Sequence, residues 1–136
     1  MKILIDTCVV LDYLLNRQPY ADSTDAFLKK ALRAHATLLL TAKQMTDLYY
    51  LTHKDLHDKV LVKQVLSRLL SLVEVVDTTG DDVVLALSSP GSDYEDSVMI
   101  ETARRNDVDL IVTRDFAGFS VSPIPYGDTL KALTLI

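Results

Sequence analysis

Four aspartates from separate parts of the chain have the residue type and placement needed to hold a divalent metal ion. They are Asp6 after the apolar run "ILI", Asp47 within "TAKQMTDLYYL", Asp96 within "SDYEDSVMI" and Asp115 within "VTRDF". Carboxylates that meet at one place repel one another unless cations lie between them. Carboxylate and water oxygens are hard ligands that suit Mg²⁺ or Mn²⁺. Such a centre can align a water nucleophile and stabilise charge on a phosphate during displacement.

Each of these aspartates also has an ordinary structural interpretation. Asp6 is well placed to cap a helix that begins near Thr7. Asp47 has Lys43 four residues earlier as a salt-bridge partner on the same helix face. Asp115 follows a strand at a position where aspartate commonly forms a turn. The metal site therefore depends on whether the segments converge.

The stretch "SDYEDSVMI" contains three acids that are expected to do different things. Asp93 is predicted to cap the helix that follows, and Glu95 is predicted to interact favourably with the positive end of the helix dipole. Asp96 instead lies in line with the apolar stripe of the helix, formed by Met99, Ile100 and Ala103. Its carboxyl is therefore expected to face the interior edge of the protein.

The predicted elements indicate how distant aspartates can meet. The predicted strands are short apolar runs: Lys2–Ile5, Leu38–Leu40, Val73–Val76 and Leu110–Val112. The predicted helices are Thr7–Asn16, Asp22–His35, Thr41–Lys54, Asp55–Leu72, Asp81–Leu87, Asp93–Asn106 and Asp128–Leu133, with an extended segment at Pro123–Pro125. This alternation is typical of an α/β fold with three α/β/α layers and a mostly parallel central sheet. Ligands of such sheets bind at the carboxyl ends of the strands.

Length and composition restrict the class of protein. We expect a single domain over residues 1–136, since nearly half of the side chains are hydrophobic and suffice for one core. The single cysteine, Cys8, fits a reducing cytoplasm, and neither a signal peptide nor a membrane span is predicted. The net charge of −5 argues against binding nucleic acid by bulk charge, but metal ions can reverse the sign of an acidic site.

In their order and spacing, these motifs resemble the PIN-domain nucleases, especially the VapC-type toxins of bacterial and archaeal toxin–antitoxin pairs. The matching segments cover almost the whole chain: "ILIDTCVVLDYLL", "LLLTAKQMTDLYYL", "SDYEDSVMIETARRNDVDLIVTRDF" and "SPIPYGDTLKAL". The resemblance implies a cytoplasmic, Mg²⁺- or Mn²⁺-dependent endoribonuclease that hydrolyses RNA phosphodiester bonds. It also implies a homodimer and a cognate antitoxin protein as partners.

The resemblance also implies roles for particular residues. Asp6, Asp96 and Asp115 would bind the metal, with Asp47 joining them directly or through water. Around this set, Asp93 would be an extra acid at the rim, and Thr7 and Thr113 would be supporting polar groups. Arg114 is expected either to contact a phosphate or to form a salt bridge with a neighbouring acid.

Two positions depart from the family pattern. The family usually has Glu where this chain has Asp47, which is one methylene shorter, and often has Asn where this chain has Cys8. Cys8 is interpreted as a small buried apolar residue rather than as a ligand. The departures leave open a second hypothesis, that of a PIN-like protein with weak or lost catalysis that acts through binding nucleic acid or protein.

Overall fold

The centre of the protein is a sheet of five strands, all parallel, in a computed structural model that describes residues 1–136. The strands are β1 (Lys2–Ile5), β2 (Thr37–Thr41), β3 (Glu74–Val76), β4 (Leu110–Val112) and β5 (Tyr126–Gly127). Their order across the sheet is β3-β2-β1-β4-β5, and every neighbouring pair is parallel. The prediction of a mostly parallel sheet is confirmed. The extended segment predicted at Pro123–Pro125 ends just before β5, which was not predicted because two residues are too few to show a strand pattern.

Seven helices cover the sheet. They are α1 (Thr7–Leu14), α2 (Ala21–Arg33), α3 (Ala42–Leu56), α4 (Lys59–Leu69), α5 (Gly80–Ala86), α6 (Tyr94–Arg105) and α7 (Thr129–Leu135). None of them combines the length and the apolar character that crossing a membrane requires.

Side chains that alternate along the strands divide the core into two layers. On one face, Ile3 and Ile5 belong to a cluster of 18 buried residues that includes side chains from α1 to α4 and from α7. On the other face, Leu4 and Ile111 belong to a cluster of 9 that includes Met99 of α6. Each fully buried aliphatic side chain of this kind stabilises the fold by about 1.5–3 kcal/mol. The three-layer α/β/α prediction is confirmed.

Several helices end where the backbone turns into the left-handed region. Asn16 (φ 50°) follows the end of α1, so this helix is shorter than predicted. At the far end of α3, His57 (φ 53°) terminates the helix, and the side chain of Asp58 caps α4 by accepting from two backbone N–H groups. The predicted break at Lys54–Asp55 was therefore a few residues too early.

The sheet has a switch in strand order beside β1. The chain passes from β1 outwards to β2 and β3, then returns to place β4 and β5 on the other side of β1. In parallel sheets the carboxyl ends of the two strands at such a switch enclose a crevice. Asp6 directly follows β1 and Asp115 lies three residues after β4, so both stand at this crevice.

Candidate metal centre

Asp6 lies at the carboxyl end of β1 and is buried, at 7% exposure. Its Oδ1 accepts from the backbone N–H of Thr7 at 2.7 Å, which caps α1 as the ordinary interpretation predicted. Its Oδ2 accepts from the Thr113 hydroxyl at 2.7 Å and from the Cys8 thiol at 3.3 Å. Burial raises the pKa of Asp6, against the hydrogen bonds that lower it, and the charge of Asp115 raises it further. Asp6 therefore caps a helix and also belongs to an acidic cluster.

Asp96 lies in the first turn of α6, facing the crevice. Its Oδ2 is buried and has no hydrogen-bond donor. Burial raises the pKa of Asp96 to about 7, and the charges of Asp6, Asp93 and Asp115 act in the same direction. A buried oxygen without a donor, surrounded by other carboxylates, is a group that a cation would stabilise.

The carboxyls of Asp115 and Asp96 both lie next to Gly118. The backbone N–H of Gly118 donates to Asp115 Oδ1 at 3.0 Å. A Cβ at Gly118 would overlap Asp96 Oδ2 and would lie 3.1 Å from Asp115 Oδ2. Only glycine therefore leaves room for both carboxyls, a requirement that sequence reasoning missed because residues 96 and 118 come together only in the fold.

Asp93 caps α6, as predicted. Its Oδ1 accepts from the backbone N–H of Asp96 at 3.0 Å. Its charge contributes to the raised pKa of Asp96, which places it at the rim of the acidic cluster.

Asp47 forms the predicted salt bridge rather than a contact with the other aspartates. Lys43 Nζ lies 2.7 Å from Asp47 Oδ2 and 3.2 Å from Glu95 Oε1. Partial burial opposes the charge on Lys43, but its hydrogen bonds to the two acids outweigh this effect and raise its pKa. All three side chains line a cleft of about 260 Å³ that also includes Asp6 and Asp96.

The two supporting threonines have different partners. Thr113 donates to Asp6, whereas the Thr7 hydroxyl accepts from Gln44 Nε2 at 3.2 Å. Gln44 is buried, forms a capping box with Thr41 at the start of α3, and donates to the Ile5 carbonyl at 2.8 Å. Gln44 was not among the predicted site residues, although the Thr41–Gln44 spacing is a capping-box signal.

Arg114 forms the salt bridge that was one of its two predicted roles. It donates twice to Asp12 of α1, from Nε at 2.8 Å and from an Nη at 3.0 Å, and lies 3.9 Å from the centroid of the Tyr20 ring. Asp12 is fully buried. Sequence reasoning missed Asp12, although an acid inside the apolar run "CVVLDYLL" is a signal for a buried pair.

The acidic cluster has the oxygen donors that a divalent cation prefers, but its side chains are not yet arranged to coordinate one ion. No three acidic, histidine or cysteine side chains converge closely enough to coordinate one ion as they stand. Asp6, Asp96 and Asp115 nevertheless offer only hard oxygen donors, repel one another, and include the unpartnered Asp96 Oδ2. A larger cleft of about 560 Å³ beside β5 is lined by no acidic side chain.

Comparisons with known proteins agree with this architecture. Residues 2–117 match the family model of the PIN domain. No curated protein matches the chain.

Similar solved structures include FitAcB from Neisseria gonorrhoeae, with 18% identity, a TM-score of 0.72, and coverage of 94% of this chain and 98% of that one. DNA-bound VapBC from Salmonella typhimurium has 15% identity, a TM-score of 0.72, and coverage of 95% and 98%. VapC20 from Mycobacterium tuberculosis, a Sarcin-Ricin loop cleaving toxin, has 13% identity, a TM-score of 0.65, and coverage of 90% and 98%. At these identities the likeness is one of fold.

Proposed function

Because the chain belongs to the PIN domain family of nucleases, we propose that it is a metal-dependent endoribonuclease that hydrolyses RNA phosphodiester bonds. The observation that carries the proposal is that Asp6 and Asp115 lie close enough to Asp96, at the switch in strand order, to raise its pKa, while a buried Asp96 oxygen has no donor. The fold-level likeness to VapC20, a Sarcin-Ricin loop cleaving toxin, supports RNA as the substrate.

In this proposal Asp6, Asp96 and Asp115 would hold Mg²⁺ or Mn²⁺, with Asp93 at the rim of the site. A bound divalent ion supplies positive charge for phosphate oxygens and lowers the pKa of a coordinated water. Thr113 orients Asp6 through its hydroxyl, and the Gly118 N–H orients Asp115. In the metal-free protein Asp96 is the carboxyl that takes up a proton near neutral pH.

A cleavage assay with an RNA labelled at an internal position tests this proposal. The wild-type protein is expected to produce internal fragments with Mn²⁺ or Mg²⁺ and none with EDTA. Substitution Asp96→Asn is expected to abolish cleavage, because it removes a charged ligand with little change in size. Full activity of Asp96→Asn would contradict the assignment, and cleavage that persists in EDTA would contradict the metal dependence.

The same assay separates the enzyme from a protein with weak or lost catalysis. Such a protein would bind the RNA in a mobility-shift experiment without releasing fragments at any metal concentration. The salt bridge that occupies Asp47 is the observation that favours this second possibility.

We further propose that the chain is the toxin of a toxin–antitoxin pair and that it forms a homodimer. The support is the likeness in fold to the toxin subunits in VapBC and FitAcB structures. A short neighbouring gene, whose product co-purifies with this protein and suppresses its ribonuclease activity, is the expected finding. Light scattering of the purified protein is expected to give twice the mass of 15.1 kDa.

A further inference from the structure

The side chain of Lys43 lines the acidic cleft. Lys43 lies in the first turn of α3, and its ammonium bridges Asp47 of the same helix to Glu95 of α6, at 2.7 Å and 3.2 Å. The cleft that these three residues line also includes Asp6 and Asp96. The cleft therefore contains one positive charge, paired with Asp47 and Glu95, and two aspartates, Asp6 and Asp96, that have no cationic partner.

We propose that the Lys43 ammonium takes the position of a second cation, so that the site holds one divalent ion, at Asp6, Asp96 and Asp115, and Asp47 is not a ligand. This inference rests on the proposed metal-dependent function and specifies the stoichiometry of its ion. It assigns Lys43 as a positioning residue that fixes the charge of the cleft.

The geometry gives two reasons for this assignment. Asp47 Oδ2 already accepts from Lys43, so the ammonium neutralises this carboxylate and weakens its attraction for a metal ion. A divalent ion beside an undisplaced ammonium would also meet a like charge, which disfavours both. The buried oxygen of the cleft that has no partner belongs instead to Asp96.

The ammonium is held from two helices at once, by Asp47 and by Glu95. The Lys43 and Asp47 side chains are 36% and 39% exposed, so solvent screens this pair only in part, whereas Glu95 is 72% exposed and contributes a weaker, more screened attraction. Asp47 is also one methylene shorter than a glutamate, and so it reaches less far past Lys43 towards the other aspartates.

Equilibrium dialysis against Mn²⁺, without RNA, tests the inference on the intact chain. Four proteins are compared: wild type, Lys43→Gln, Lys43→Arg and Lys29→Gln. Lys29 provides a matched control, because it forms a similar salt bridge four residues along a helix, to Asp25 at 2.6 Å, away from the cleft. Both glutamine variants change the net charge equally, and circular dichroism verifies that each variant is folded.

The expected result is one Mn²⁺ per chain for wild type, Lys43→Arg and Lys29→Gln, and two for Lys43→Gln. Two ions in the wild type, or a single ion of unchanged affinity in Lys43→Gln, would overturn the inference and leave the proposed nuclease intact. A wild type without any ion, together with a Lys43→Gln protein that binds one, would overturn the one-ion stoichiometry and contradict the proposed metal dependence of the wild type. Absence of binding in all four proteins would overturn both.

Discussion

Asp96 combines three properties that are separate in most carboxyls: it is partly buried, it is surrounded by like charges, and one of its oxygens has no donor. In the folded protein without metal, these properties raise the pKa of Asp96 to about 7. At low pH, a proton on Asp96 relieves its repulsion with the neighbouring carboxylates. At higher pH, a bound metal ion would relieve the same repulsion.

Replacing Asp96 by Asn is expected to change the dependence of stability on pH. The pKa of Asp96 is raised to about 7 in the folded protein from an ordinary 3.8, so the folded state binds more protons than the unfolded state between these values. The wild type should accordingly lose stability as pH rises from about 4 to about 7 in EDTA. The Asn variant should lack this loss and be more stable at pH 8, by about 1–2 kcal/mol given the screening of a half-buried group. Urea unfolding at pH 4.5 and pH 8 measures the difference, and parallel profiles for the two proteins would contradict the assignment.

Substitution Gly118→Ala is expected to impair the site without unfolding the protein. The new methyl group would overlap Asp96 Oδ2 and crowd Asp115 Oδ2, so the Asp96 carboxyl must move from its position and Asp115 must shift slightly. We expect at least a tenfold loss of RNA cleavage and of Mn²⁺ affinity. Gly80→Ala is the matched control, since a Cβ at Gly80 meets nothing within 4 Å. Equal behaviour of the two variants would show that the close approach at Gly118 is unimportant.

Among the elements, α1 and the segment after β4 are joined by the pair between buried Asp12 and Arg114. Substitution Asp12→Ala would leave the guanidinium without its carboxylate partner and is expected to cost about 3 kcal/mol of stability. Asp25→Ala, which breaks an exposed salt bridge on α2, is expected to cost less than about 1 kcal/mol. Urea denaturation compares the two variants. A cost for Asp12→Ala as small as the control's would mean that Arg114 finds other partners.

How far the sequence predicts these elements depends on whether the signal is local. The strand Lys2–Ile5 is a continuous apolar run beside an acid, and its predicted bounds agree with β1. The Lys43–Asp47 pair follows from helical spacing alone. The strand β5 is too short to have a pattern, and the contact of Gly118 with Asp96 depends on the path of the chain between them. The sequence left two roles for Arg114, a phosphate contact or a salt bridge. It could not identify Asp12 as the partner, because that contact depends on how α1 packs against the segment after β4.

For the whole molecule, which has a net charge of −5, the proposed binding of a divalent cation has a consequence for stability. Mn²⁺ at about one hundred times its dissociation constant is expected to stabilise the fold by about 2.7 kcal/mol, and so to raise the melting temperature by several degrees. The increase should be larger at pH 8 than at pH 6, because the ion competes with the proton on Asp96. Differential scanning fluorimetry measures it, with EDTA and Asp96→Asn as controls. A melting temperature that does not respond to Mn²⁺ at either pH would contradict metal binding.

The position of β4 beside β1 has a consequence for how the protein is synthesised. Asp6 leaves the ribosome early, but the Thr113 hydroxyl that orients it is 107 residues further along the chain, and Asp115 comes later still. A nascent chain that ends before β4 has neither of these groups and an exposed edge on β1. The proposed site is therefore complete only after β4 and Asp115 have been synthesised, near the end of translation.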